Sequence, residues 1–571
     1  MLSLLLAGLL GLVPAAPATS PVPPPREVIF HGGAILPMGG PTAQVEALAI
    51  RNGRILATGP KAAVLRLRRP TTQVRDLGAR ALLPGFIDPH LHLLGTAEVG
   101  GFVNLHPLTG GPGGGRLDWP GARAKLVAAI EAAAPGTWVA AHGFDPWLLA
   151  GAPARFTLSG RELDRLSPRA AGVPILVVNM SGHVAYVNAA GVARVKAETK
   201  DGVLYEAAMM GPYVLAAAAR QDLTPATLRE RAIAFMGELS RRGVTSYNDG
   251  AIGGTLPLSE VATLNSIAWD PRATVRVHAW LDGTRLGVWR VLFPNRRGND
   301  RLRVTGLKWW ADGSTQGLNA FLTEPYIADP ALLPDGPTGK PDHPREWLRD
   351  QVKAAAAAGW AVQVHANGDA AIDLVLGIYE ELLGPNPRAD HRWTVQHATT
   401  ARADQFARMR RLRVSPSFLM GHVYYWGDAF REGILGDPRA GRLDAAAWAS
   451  SPTVGGGPPV PFSFHSDSPV TPPNPLLMVQ AAVTRTTAAG TRLGPDELRL
   501  PVLEALRAVT IHPAWQIRRE DDLGSLEPGK LADLVVLDRD PRAVPPAEIG
   551  AIAVEETWVG GVPVFVRRPR P

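Results

Sequence analysis

The sequence predicts an α/β fold in which β/α units wind around a parallel barrel, flanked by a small sheet domain drawn from both chain ends. Three patterns carry that expectation. Histidines, a lysine and an aspartate stand at the ends of short apolar segments, each followed by a loop or a helical pattern. Strand-like and helix-like stretches alternate through the middle of the chain, and the two ends share short apolar strands punctuated by glycine pairs. With 571 residues, 46% hydrophobic and 19% charged, the chain can bury a core large enough for a barrel and additional domains.

Residues 2–13 form an apolar run that ends at Pro14-Ala15-Ala16-Pro17-Ala18, the pattern of a secretory h-region and its small-residue cleavage site. Residues 1–18 are therefore read as a signal peptide, although no Lys or Arg precedes Arg26 to supply a basic n-region. The expectation is a periplasmic or secreted protein, with a cytoplasmic one as the alternative. The run is short for a membrane span, so no stable membrane insertion is expected after signal removal. The absence of Cys excludes disulfides and thiolate zinc sites, so any metal must be held by nitrogen and oxygen. The net charge of +7 is scattered, and the clusters Arg66-Leu67-Arg68-Arg69 and Arg567-Arg568 read as solvated surface. No nucleic-acid motif occurs, and no nucleic-acid partner is expected.

Residues 26–83 read as short strands with turns at Gly32-Gly33, Gly39-Gly40 and Asn52-Gly53, and residues 516–571 have the same texture around 532–537 and 558–564. They are taken as two parts of one β-sandwich, with the barrel over residues 84–515. Helical patterns occupy 346–357, 370–383 and 501–508. The stretch from about 97 to 240 exceeds what one β/α connection needs and is read as an insertion near the barrel mouth.

The sharpest chemical signal is residues 84–92, Pro-Gly-Phe-Ile-Asp-Pro-His-Leu-His. Side chains alternate across a strand, so His90 and His92 face the same side and can reach one metal ion. Lys308, His365 and His397 each end an apolar segment, and Asp467 closes Phe-Ser-Phe-His-Ser-Asp. In a parallel barrel the strand C-termini converge, which makes these residues neighbours. His183 and His142 also follow apolar runs and are weighed between substrate contact and structural hydrogen bonding. His422 with Tyr424, Tyr425 and Trp426 is either an aromatic wall or packing.

Competing chemistries explain less. There is no Gly-x-Ser-x-Gly elbow. A carboxylate pair chosen from Asp249, Asp312 and Asp467 would leave the histidine series without a purpose. A non-catalytic, metal-stabilised binding protein is the alternative from another class, but a structural site closed by four ligands needs neither Lys308 nor a proton shuttle.

Taken in order, residues 84–92, Lys308 with Asp312-Gly313-Ser314, His365-Ala366-Asn367-Gly368-Asp369, Gln396-His397, Ser466-Asp467-Ser468-Pro469-Val470 and residues 524–533 resemble the amidohydrolase superfamily. The Lys-x-x-x-Asp-Gly-Ser element and the length resemble its amidohydrolase family 3, YtcJ-like branch, which includes N-substituted formamide deformylases. The resemblance covers nearly the whole chain. It implies a metal-dependent hydrolase on a distorted TIM (β/α)8 barrel with a small β-sandwich made from both ends. It further implies one or two divalent ions, zinc by preference, with His90, His92 and Asp467 on one, His365 and His397 on the other, and a carboxylated Lys308 bridging them; a mononuclear variant stays open. An ammonium group cannot ligate a metal, whereas a buried lysine can lose its proton and react with carbon dioxide. The implied reaction is cleavage of a non-peptide carbon–nitrogen bond, of an N-formyl or N-acyl amine, through a metal-activated hydroxide. Asp467 would move the proton, assisted by His397 and His183. His183, His142, Asp312, His422, Tyr424 and Trp426 would meet a small amide-like substrate, and a homodimer is left open.

Overall fold

The computed structural model describes residues 27–568 apart from 112–114, 135, 153–156, 197–198, 219–222, 255, 296, 300, 388–389 and 452. The signal-peptide expectation at residues 1–18 lies outside the described residues. In chain order the strands are β1 (Val28–Ile35), β2 (Val45–Arg51), β3 (Arg54–Gly59), β4 (Gln73–Asp76), β5 (Ala81–Pro84), β6 (Phe86–Leu91), β7 (Val103–Asn104), β8 (Val139–Phe144), β9 (Ile175–Asn179), β10 (Val184–Val187), β11 (Val203–Tyr205), β12 (Val244–Ile252), β13 (Arg276–Asp282), β14 (Leu302–Trp310), β15 (Val362–Ala366), β16 (Thr394–His397), β17 (Ser415–Phe418), β18 (Ser463–Phe464), β19 (Leu534–Leu537), β20 (Val554–Val559) and β21 (Val562–Val566).

Strands from both chain ends share one sheet, ordered β21-β20-β19-β5-β1-β2-β3 with β4 also on β1. The joint is antiparallel, with Leu534 opposite Pro84 and Leu537 opposite Ala81. β1 pairs with β4 through its first half and with β5 through its second, and it turns between them at Gly32 and Gly33, whose φ angles are 67° and 62°. A Cβ on Gly33 would lie 2.3 Å from the Arg80 carbonyl oxygen, so only glycine permits the turn. Phe30, Ile50 and Leu82 from one end close a core with Val536 and Trp558 from the other.

The barrel runs β6-β12-β13-β14-β15-β16-β17-β18, all neighbours parallel. Its helices follow the 3.6-residue period: in Arg345–Ala357 the buried residues are Leu348, Val352 and Ala355, and Asp369–Leu383 buries Ile372, Val375, Leu376 and Tyr379. The ring is distorted where β18 meets β6. At the bottom, Phe464 and Ile87 donate their amides to the carbonyls of Ala508 and Val509, which wedge between the strands. At the top, the chain beyond β18 closes the seam: Asp467 N–H donates to the His90 carbonyl (3.0 Å) and His92 N–H to the Ser468 carbonyl (2.8 Å).

Between β6 and β12 lies a second sheet, ordered β11-β10-β9-β8-β7, with its own core around Leu126, Phe144, Ile175 and Tyr186. The helix Pro225–Arg241 brings the chain back against the helix Leu93–Val99 before β12 begins. Residues 178–183 and 203–210 of this insertion face the C-terminal ends of the barrel strands across one cavity. Among the described residues no helix is long and apolar enough to cross a membrane.

Candidate metal centre

The seam between β6 and the residues after β18 builds the centre. Nε2 of His90 and Nε2 of His92 each lie 3.2 Å from Asp467 Oδ1. Two ligands about 2.0 Å from a tetrahedral ion sit roughly 3.3 Å apart, so the spacing fits a divalent ion held by two imidazoles and a carboxylate. These three residues are the one set of His, Cys, Asp or Glu among the described residues whose ligand atoms lie within 4.8 Å of one another. Asp467 Oδ1 and His90 Nδ1, both buried, have no hydrogen-bond partner among the described residues. Asp88, buried at the base, knits the seam by accepting from Ser466 Oγ at 2.6 Å, and burial pushes its carboxyl up to about 7. Asp467 and His397 both occupy left-handed backbone, with φ of 54° and 73°. Such strain in non-glycine residues gathers where geometry is fixed for chemistry.

Electrostatics separate the groups sharply. Burial, reinforced by the Lys308 charge, pushes His90 down to about 3, and burial holds His365 and His397 well below the usual range. Neutral imidazole is the form that donates a lone pair to a metal. Burial alone would raise Asp467, yet His90, His92 and His397 together hold it well below the usual carboxylate range. Burial lowers Lys308 to about 7, against the pull of Asp467. Lys308 is 1% exposed, with its Nζ 5.4 Å from the Trp310 ring centre.

His365, His397 and Lys308 complete the barrel side. The His365 and His397 rings are 4.5 Å apart, and His397 lies 5.4 Å from His90. The insertion supplies the opposite wall of a cavity of about 1390 Å³. From it His183 approaches to 4.9 Å from the His365 ring, while its Nδ1 bonds both oxygens of Glu206 at 3.0 Å. Burial would lower His183, but Glu206 overturns that and raises it to about 9. Asn319 Nδ2 donates to Glu206 Oε1 at 2.6 Å and so ties this wall to the barrel. His142 also lines the cavity, pushed down by burial to about 3.

Four residues expected to meet substrate lie outside the cavity lining. Asp312 is fully buried and accepts the backbone N–H groups of Phe321, Asn367 and Gly368 at 3.0, 3.0 and 2.8 Å. Its carboxylate is used in holding the loop after β15. His422 is 1% exposed and Trp426 is fully buried, the latter donating Nε1–H to Asp145 Oδ2 at 2.9 Å. Tyr424 packs against Tyr425 rather than opening to the cavity. The chain coils at residues 422–426 and buries His422 and Trp426, while Tyr424 and Tyr425 stay half-buried outside the cavity lining.

Two residues at the site escaped the sequence reading. His465 is buried, its ring 5.1 Å from His90 and 5.0 Å from His397, and neither ring nitrogen has a hydrogen-bond partner among the described residues. It stands two residues before Asp467, but both lie beyond β18, so strand alternation gave no signal for it. Glu206 carried no signal either, because its importance comes from pairing with His183.

A model described as the amidohydrolase family matches residues 73–565. YtcJ of Bacillus subtilis (strain 168) is 27% identical over 94% of this chain and 99% of its own length. The N-substituted formamide deformylase of Arthrobacter pascens is 26% identical over 94% of this chain and 98% of its own. A crystal structure of a metal-dependent hydrolase from Pyrococcus furiosus superposes with a TM-score of 0.66 at 24% identity, covering 90% of this chain and all of that one, and shares the fold. With a family match spanning the sheet domain, the barrel and the ligand-bearing strand ends, the chain belongs to the amidohydrolase family and is a hydrolase.

Proposed function

We propose that this hydrolase cleaves the carbon–nitrogen bond of an N-formyl or N-acyl amine at the barrel mouth. The observation that carries the reading is the pair of 3.2 Å approaches of His90 Nε2 and His92 Nε2 to Asp467 Oδ1, set among neutral, buried imidazoles. His90, His92 and Asp467 would hold one divalent ion, zinc in this reading, and His365, His397 and a carbamate on Lys308 a second. Bound there, an ion supplies Lewis acidity toward a carbonyl and brings the pKa of water toward neutrality.

The chain's own residues do the rest. At about 7, Lys308 exists in large part as the free amine at neutral pH, the form that takes up carbon dioxide. Asp467 Oδ2, the oxygen on the His397 side, accepts the proton of the attacking water and returns it to the leaving nitrogen. His183, anchored through Nδ1, presents Nε2–H to the carbonyl oxygen as negative charge builds there. Met180, Leu204, Met209 and Ile252 give the cavity an apolar side for an alkyl or aryl N-substituent. The likeness to an N-substituted formamide deformylase supports that substrate class.

The test is elemental analysis of the purified protein, then amine release from a panel of N-formyl and N-acyl amines. Bound zinc together with turnover of a panel member is the expected result. A protein that takes up no metal and stays inactive after zinc and bicarbonate are supplied removes the basis of the reading.

A further inference from the structure

The helix Ala207–Ala218 of the insertion contains no charged residue, and Tyr213 is its one polar side chain. A helix apolar on every side is normally buried on every side. Here Met209 and Ala216 are buried, whereas Ala207, Ala208, Met210 and Leu215 are exposed, Met210 to 40% and Leu215 to 45%. Tyr213 anchors the helix by donating its hydroxyl to Glu98 Oε2 at 2.8 Å, which ties it to the helix that follows His92. Exposed apolar surface at the edge of a cavity marks a binding groove.

The exposed N-terminal end of this helix is part of the cavity. Ala207, Ala208 and Met210 line its mouth, and the buried Met209, Leu204 and Met180 continue the apolar surface inward. Half-buried Leu332, Leu333 and Pro334, from the chain after β14, add a second apolar lip. Pockets that bury a drug-sized ligand hold roughly 300–1,000 Å³. This one holds about 1390 Å³, so a formamide with a small N-substituent would leave much of it to water.

The charged groups of the lining are mostly engaged within the protein. Glu98 takes the Tyr213 hydroxyl, Glu260 the amides of Gly253 and Leu256, and Asp282 the amide and hydroxyl of Thr284, while Asp335 pairs with Lys340 at 2.7 Å. Asp342 stands by Glu206 and His183, at the catalytic end, and Lys200 and Asp201 are exposed at the rim. Between those two ends the cavity offers a ligand chiefly apolar contact.

We propose that the substrate's N-substituent is a long alkyl chain, running from the metal centre past Met180, Leu204 and Met209 and leaving the cavity against Ala208 and Met210. The inference rests on the N-formyl or N-acyl amine reading and narrows it. The occupant is the substrate's own chain because the exposed apolar face is continuous with the lining of the cavity that would hold the reacting carbonyl.

The experiment measures kcat/KM of the zinc-loaded protein for N-butyl-, N-octyl- and N-dodecylformamide, each below its aggregation concentration, in the wild type, Met210→Glu and Leu215→Glu. The expected result is a rise of about two- to fourfold per added methylene until the chain leaves the protein. Met210→Glu should lower the dodecyl-to-butyl ratio by at least about tenfold, and Leu215→Glu, outside the cavity lining, should keep it within about twofold. If glutamate unfolds the helix by circular dichroism, Met210→Ala is read instead, with a ratio lowered by about threefold or more. Equal kcat/KM across the series, or a wild-type ratio in the Met210 variant, overturns the proposal. So does a Leu215→Glu variant as impaired as Met210→Glu, which would give the face to a partner protein or a lipid surface. A gain that follows the acyl chain of N-acylbutylamines instead of the N-alkyl chain overturns the assignment of the chain to nitrogen. If no member of the series is turned over, the hydrolytic reading falls, and calorimetric binding of the same series to the same protein decides the inference by itself. Affinity rising with chain length supports it, and flat affinity overturns it.

Discussion

On the barrel side of the cavity His90, His365 and His397 are buried near Asp467, with Asp312 also 3.6 Å from His365, and burial keeps all three imidazoles neutral. On the insertion side His183 is buried as well, its ring only 4.9 Å from that of His365, yet it is raised to about 9 because Glu206 is its own partner. One residue type thus supplies lone pairs on one wall and a proton on the other. Burial alone does not decide the state of a histidine; the balance between burial and the nearest carboxylate charge does.

The largest blow to the barrel wall is Asp467→Asn, which removes the shared charge and the proton carrier. Hydrolysis of the best N-formyl substrate should fall by about 10³-fold or more while circular dichroism stays unchanged. Turnover at the wild-type rate would sink the role given to Asp467. Next is Lys308→Ala, expected to lose the second ion and at least about 100-fold of activity, with partial recovery on adding short carboxylic acids. An unaltered ion count in that variant rejects the bridging model.

Glu206→Gln should make His183 resemble the barrel histidines. Loss of a charged donor to the carbonyl oxygen is expected to lower kcat/KM by roughly 100-fold. The sign of the pH effect follows from a folded pKa of about 9 standing above the ordinary 6.5. The His183–Glu206 pair stabilises the fold fully below the lower value, and this contribution is lost as pH rises through the upper one. Metal-free wild-type protein should therefore melt about 1–3 °C lower at pH 9.5 than at pH 6.5 by this contribution, and Glu206→Gln should lack the slope. Parallel profiles for the two proteins would count against the pairing.

The smallest catalytic effect is expected from Trp426→Phe. Its indole ties the barrel to the insertion through Asp145, a carboxyl that burial pushes up to about 6. Removing the donor should cost about 1–3 kcal/mol, read as a lower Tm, with KM unchanged. A raised KM at unchanged Tm would return Trp426 to the substrate wall.

Much of this was legible in the sequence because it follows from short-range periods. Alternation over two residues places His90 beside His92; it does not reach His465 and Asp467, which lie beyond β18 with Asp467 in left-handed backbone. The β/α alternation puts strand C-termini at one end, so Lys308, His365, His397 and Asp467 had to converge. The helices at Arg345–Ala357 and Asp369–Leu383 announced themselves by their apolar stripe.

Tertiary structure alone decided which polar groups became partners. The family resemblance brings Asp312 to the expected site and its aromatic neighbours bring His422, but three backbone amides claim the first and the second is buried beside Thr399 and Asp444. Glu206 looks like surface charge until the insertion folds it against His183 and Asn319. The backbone fixes the local side-chain period, so a sequence determines where a residue can point. Burial and the nearest opposite charge are set by segments distant in sequence, so the fold determines what that residue can do.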